Sequence, residues 1–204
     1  MQRAEDAPFD AHAVFGSALI DDEQILWSSQ PDPRRLLTAV DLFLIPFSIF
    51  WCGFAIVWEY IAIRQALEGG SILWPLWGMP LLLIGLYALF GRFVYKKWKR
   101  RRTFYAVTDR RVLALERGSR EDKIRAMFIE SIPEVKKRAW RDGSGTIVFG
   151  STAYWYDMYK SSGAEWMSGY WATGSSIPFF DIKDVATVER LVYDLRRDSG
   201  IEGV

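Results

Sequence analysis

The sequence is short of the side chains that most chemistry needs. One cysteine, Cys52, and one histidine, His12, occur in 204 residues, and Cys52 sits inside an apolar run. A single cysteine excludes an internal disulfide framework and a cysteine-rich zinc site. A single histidine, placed in a polar N-terminal stretch, leaves no catalytic pair built on the commonest general acid–base. Gly-rich phosphate loops, paired-histidine zinc motifs and Gly-x-Ser-x-Gly elbows do not occur. Gly143-Ser144-Gly145 lies between two predicted strands and reads as a turn. We therefore nominate no catalytic residue, metal site or cofactor site, and expect no enzyme activity. Met1 to Asp10 carries Glu5, Asp6 and Asp10 and lacks the apolar core of a signal peptide, so an uncleaved N-terminus starting in the cytoplasm is expected.

Apolar and aromatic surface is what the chain has in excess: half of it is hydrophobic, 16% is aromatic, and ten residues are tryptophan. From Leu42 to Trp58 (LFLIPFSIFWCGFAIVW) there is no charge, and Asp41 and Glu59 bracket the run. Ile72 to Gly91 (ILWPLWGMPLLLIGLYALFG) is likewise uncharged. Each meets the requirement of roughly 20 apolar residues for a helix that crosses hydrocarbon. Core helices of soluble proteins keep a polar face, and these two runs have none. Pro46, Pro75 and Pro80 are compatible with membrane helices, where proline is more frequent. The spacing predicts helices over about 39–63 and 72–95, and the polar stretch Arg64 to Ser71 is too short for anything but a turn, so the two form a hairpin. Arg34 and Arg35 precede it, seven basic residues from Arg92 to Arg102 follow it, and the turn holds only Arg64. That bias places both termini in the cytoplasm. Asp41 and Glu59 read as edge residues solvated by headgroups and water, against the alternative of intramembrane acids on a transport path.

The stretch Lys96 to Arg102 (KKWKRRR) reads as a topology signal and, compatibly, as a contact for anionic lipid headgroups through Lys96, Lys97, Lys99, Arg100, Arg101 and Arg102. Its place beside an apolar helix argues against nucleic acid. Beyond it the pattern changes to short β-branched and aromatic segments separated by turn residues. Strands are expected at Thr103–Val107, Arg111–Glu116, Lys123–Phe128, Val135–Arg141 and Thr146–Gly150, with turns at Thr108-Asp109-Arg110 and Asp142–Gly145. Val185, Val188, Leu191, Val192 and Leu195 recur at helical spacing, with Asp181 as the expected N-terminal cap, Asp184 in the first turn, and Arg196 and Arg197 near the end. Between Ser151 and Ser176 lies a stretch rich in Tyr, Trp, Gly and Ser. Its Trp155, Tyr156, Tyr159, Trp166 and Trp171 are candidate interface aromatics, or else alternate along ordinary strands and pack on one another.

Several of these segments together resemble the bacterial pleckstrin-homology-like (PH-like) membrane proteins. They are Glu23-Gln24-Ile25-Leu26-Trp27-Ser28-Ser29-Gln30-Pro31, Gly91-Arg92-Phe93, Thr103 to Leu113 (TFYAVTDRRVL), Gly145 to Phe149 and Phe180 to Val185. The resemblance implies an α+β membrane protein: a transmembrane helical hairpin followed by a PH-like antiparallel β-barrel or sandwich closed by a C-terminal helix. The domain plan is then a cytoplasmic segment over 1–37, the hairpin over 38–95, a basic linker over 96–102, the PH-like domain over 103–198 and a tail over 199–204. The expected role is a binding or scaffolding module on the cytoplasmic face of the bacterial inner membrane, recruiting a protein partner or anionic lipid. The alternative is a small subunit of a transporter or channel.

Overall fold

The computed structural model describes residues 9–37, 41–151 and 176–200. The aromatics Trp155, Tyr156, Tyr159, Trp166 and Trp171 lie outside the described residues. What is described divides into two compact units, one of 36–97 and one assembled from 9–35, 98–151 and 176–200.

The first unit is helical. Helix α2, Asp41–Leu67, is followed by α3, Leu73–Leu86, a single wide turn of π-helix at Tyr87–Gly91 and α4, Arg92–Arg100. Asp41–Leu67 and the continuous stretch Leu73–Arg100 are each long and apolar enough to cross a membrane. The first runs four residues beyond its expected end, and the chain reverses at Gly69, whose φ of +95° a side chain would strain. The packing is inverted relative to a soluble core. Leu42, Phe43, Phe50 and Trp77 point outward, each at least 70% exposed, while apart from Asp41 the buried residues of these two helices are small: Ser48, Cys52, Ala55 and Ala62 on α2, Gly78 and Gly85 on α3. Small residues let two helix backbones approach closely. A Cβ on Gly85 would stand 3.3 Å from the Cα of Cys52, and one on Gly78 would collide with the Glu59 carboxylate at 1.9 Å.

The second unit is built from two antiparallel sheets. Strands β1 (Ile25–Ser29), β2 (Thr103–Thr108), β3 (Arg111–Glu116) and β4 (Lys123–Phe128) lie side by side in that order; β5 (Val135–Ala139), β6 (Gly145–Phe149) and β7 (Ile177–Ile182) form the other sheet. Helix α5, Val185–Asp198, buries Val185, Val188 and Val192 in a core shared with Trp27, Tyr105, Val107 and Val112 of the first sheet and Ile147, Phe149, Phe179 and Ile182 of the second. Phe179 is its centre, stacked on Tyr105 at 4.5 Å and edge-on to Phe149 at 5.1 Å. The other face of the first sheet is also covered, because the short helix α1 (Ala11–Phe15) lays Ala11 and Phe15 against Phe104, Ala106, Leu113 and Leu115.

Strands β2 to β6 fall within two residues of their expected limits. Four features differ. The strands do not close into a single barrel. Ile25–Ser29 is not part of a separate N-terminal segment but the edge strand of the first sheet, Ser29 facing Tyr105, so the helical unit is inserted between β1 and β2. The third difference is the cap of α5: β7 continues through Ile182, so the helix cannot begin at Asp181, and Asp184 accepts the N–H of Thr187 at 3.2 Å instead. The linker expected over 96–102 is largely helix, since α4 runs to Arg100.

The β2–β3 turn is locked to the segment before β1. Arg111 grips the Glu23 carboxylate with two bonds, Nε to Oε1 at 2.9 Å and Nη2 to Oε2 at 2.6 Å, and donates to the Ala18 carbonyl at 2.9 Å. The Thr108 hydroxyl donates to Glu23 at 2.7 Å and accepts the N–H of Arg111 at 2.8 Å. Bidentate, charge-assisted bonding of this kind is strong, and it holds the Glu23 carboxyl down at about 2, against an ordinary value of 4.5. A depressed carboxylate stabilises the folded state fully above its unfolded value and stops doing so as pH falls through its folded value. The thermal midpoint of the full chain should therefore fall as pH drops from 4.5 towards about 2. In Glu23→Gln the midpoint should start lower and lose that part of the acid slope; an unchanged slope would show that the latch does not couple to folding.

Candidate functional site

Within the helical unit, the charges meet at the open end of the hairpin. Asp41 begins α2, while Arg92 and Lys96 lie one turn apart on α4. Asp41 is 1% exposed, and its carboxylate accepts from Lys96 Nζ at 2.8 Å and forms an ion pair with Arg92, whose Nη1 is 3.1 Å away; Lys96 also donates to the Leu36 carbonyl at 3.0 Å. Both cations lie near the Phe93 ring, at 4.7 and 5.7 Å from its centre. The expectation that water and headgroups solvate Asp41 is thus corrected: two protein cations do so. Arg92 Nε and Nη2 are buried without a hydrogen-bond partner, and so is Glu59 Oε2, which rests in the notch left by Gly78.

Within the strand unit a second set of contacts joins the residues after β1 to those before β2. Arg100 donates to Asp181 Oδ2 at 2.6 Å and to the Asp32 carbonyl at 2.8 Å. Gln30 donates to the Arg101 carbonyl at 2.8 Å, and the Asp32 N–H reaches the Asp181 carbonyl at 3.3 Å. Asp181 adopts φ +48°, a left-handed conformation that aspartate tolerates better than most residues. Its sequence role as a helix cap is replaced by this one. Arg35 pairs with Asp142, whose carboxyl is held below its ordinary range by the Ser144 hydroxyl and N–H and by Arg35.

The six basic residues nominated as lipid contacts separate into classes. Lys96 and Arg100 are buried and committed to the ion pairs above. Lys99 is half-buried beside Glu116 at 3.7 Å, and the half-buried Arg102 lies over the Trp98 ring at 4.2 Å. Lys97 and Arg101 are exposed. Asp41, Arg92, Glu23 and Asp181 were not read from sequence as an ion-pair set; Glu23 and Arg111 are 88 positions apart, so no local pattern joins them.

Among the described residues no group of three or more His, Cys, Asp or Glu side chains is placed to hold a metal ion. An open groove of about 350 Å³ on α3 and α4 is lined by Leu83, Ile84, Tyr87 and Tyr95. No protein-family model, curated protein or solved structure matches the chain.

The hairpin triad has a measurable consequence. Removing one partner of a buried ion pair costs about 3–5 kcal/mol, because the charge left behind is uncompensated. Asp41→Ala should lower unfolding stability by that order in a denaturant titration. Adding Arg92→Leu should recover part of the loss, since one stranded cation disappears. An Asp41→Ala chain as stable as the parent would show that the pairing carries no weight.

Proposed function

We propose that this chain is a membrane-anchored binding or scaffolding module: the hairpin spans the bacterial inner membrane with both termini cytoplasmic, and the strand unit, a PH-like domain, recruits a protein partner or anionic lipid. One observation carries the reading. The hairpin turns its large apolar side chains outward and Ser48, Cys52, Ala55, Ala62, Gly78 and Gly85 inward, an arrangement that water penalises by about 25 cal/mol per Å² of apolar surface and hydrocarbon does not. The bias of lysine and arginine to its two ends supports the orientation. Four strands, three strands and a closing helix, in that order along the chain, support the PH-like assignment. A fold alone defines no ligand, so recruitment rests on the strand unit's exposed surface.

The transporter-subunit alternative has one feature in its favour, the buried, unpartnered Oε2 of Glu59 between the helices. Two helices cannot enclose a pore, so that role requires an oligomer.

Reporter fusions after Gly70 and after Val204 test the anchoring. The reading expects a periplasmic signal at the first site and a cytoplasmic one at the second, with the chain retained by membranes in alkaline carbonate. A periplasmic signal at Val204 overturns the orientation. Gentle extraction should then yield a stable partner that is lost when the strand unit is deleted, whereas a homo-oligomer with no other component would favour the transporter alternative.

A further inference from the structure

The fold brings to the basic collar a second group of arginines that the sequence places well downstream. The Arg117 N–H donates to the Arg102 carbonyl at 2.7 Å, and Arg102 Nη1 reaches the Ser119 hydroxyl at 3.4 Å. The β3–β4 turn, residues 117–122, therefore lies against the segment Trp98 to Arg102. On this surface Arg101, Arg117 and Arg120 are exposed, Arg102 is held over the ring of Trp98, and Trp98 itself is 46% exposed. Arg117 is steadied over Phe104, 5.6 Å from the ring centre. The acids nearby are outnumbered, three (Glu116, Glu121 and Asp122) against five cations (Lys99, Arg101, Arg102, Arg117 and Arg120). Glu116 is beside Lys99 at 3.7 Å, and Asp122 accepts the Gly118 N–H at 3.2 Å.

From this geometry we infer that the Trp98–Arg102 segment and the β3–β4 turn make one arginine face that rests on anionic phospholipid headgroups. The inference rests on the anchoring proposed above and names the partner of the collar. It also moves the contact: Lys96 and Arg100 are spent on internal ion pairs, and Arg117 and Arg120 take their place. Charge selects the occupant. Guanidinium groups bind phosphate by two parallel bonds, an exposed indole favours headgroup depth, and the collar directly follows a helix apolar enough to cross a bilayer.

The test uses the full chain carrying Cys52→Ala and Ser119→Cys, with an environment-sensitive fluorophore on the new thiol, in nanodiscs of phosphatidylcholine with or without phosphatidylserine. Phosphatidylserine should shift the emission to the blue and reduce iodide quenching, and about 1 M salt, which shortens the screening length to ~3 Å, should reverse both. Each basic residue near an anionic surface is worth about a fivefold change in partitioning. Arg117→Gln with Arg120→Gln should therefore abolish most of the response, and Arg117→Lys with Arg120→Lys should keep it. Equal emission in the two lipids, or a response that survives the glutamine pair, overturns the assignment while the anchoring stands. Release of the chain by alkaline carbonate before the measurement overturns the anchoring, and this assignment with it.

Discussion

The pairing of β1 with β2 is the constraint on which the rest of the structure depends. Ser29 and Tyr105 face each other across the ladder, yet everything from Gln30 to Phe104 lies between them in the chain. Closing so long a loop costs entropy that grows only slowly with length, and an antiparallel hairpin reduces the cost further because it returns the chain near its point of departure. The contacts around Arg100 then hold both ends. Gln30 with Arg101, and Arg100 with Asp32 and Asp181, join the outgoing segment, the returning segment and β7. These contacts all lie within the strand unit and close the sheet edge where the inserted segment leaves and returns.

Helix α4 shows how one basic run serves two purposes. Arg92, Lys96 and Arg100 recur every fourth residue, on one face of the helix, and all three are buried and paired. Val94, Lys97 and Trp98 fall on the remaining surface and are exposed. Buried ion pairs add little net stability against a hydrophobic replacement, because desolvation offsets the attraction. Their effect is to specify which residues meet, since any other register would strand a charge. The exposed members face solvent, so the electrostatic surface is set by what the buried face leaves over.

Much of this was legible in the sequence, for physical reasons that differ by element. The two apolar runs were visible because they lack charge over a membrane's width, and β3 and β4 because their composition and flanking turns are local signals. β1 and β7 escaped notice: Ile25–Ser29 is short and its partner lies beyond the hairpin, and β7 follows the aromatic stretch and ends in a segment that also suggests a helix cap. The Glu23–Arg111 latch has no local signature at all. By contrast, the four-residue recurrence of Arg92, Lys96 and Arg100 was there to be read; the density of the run hid it, since seven cations in eleven positions look like a uniform collar.

The exposed edges of the two sheets raise a last point about charge. Among the described residues, strand β4 closes the first sheet and is exposed along nearly its whole length, and β5 at the edge of the second is exposed over Lys137 to Ala139. Unpaired edges are templates for pairing with another chain. Both carry basic side chains, Lys123 and Arg125 on β4 and Lys136, Lys137 and Arg138 on β5. An approaching copy would align its own cations with these, and like charges facing one another across a ladder are destabilising. Lys137 is further occupied by Glu189 of α5, and Arg138 lies over Trp140. These cations protect the edges of the sheets, so a basic patch there does not call for a ligand. The arginines of the β3–β4 turn stand apart on that criterion: they lie off the strand edges, in a turn whose Arg117 N–H is held by the Arg102 carbonyl.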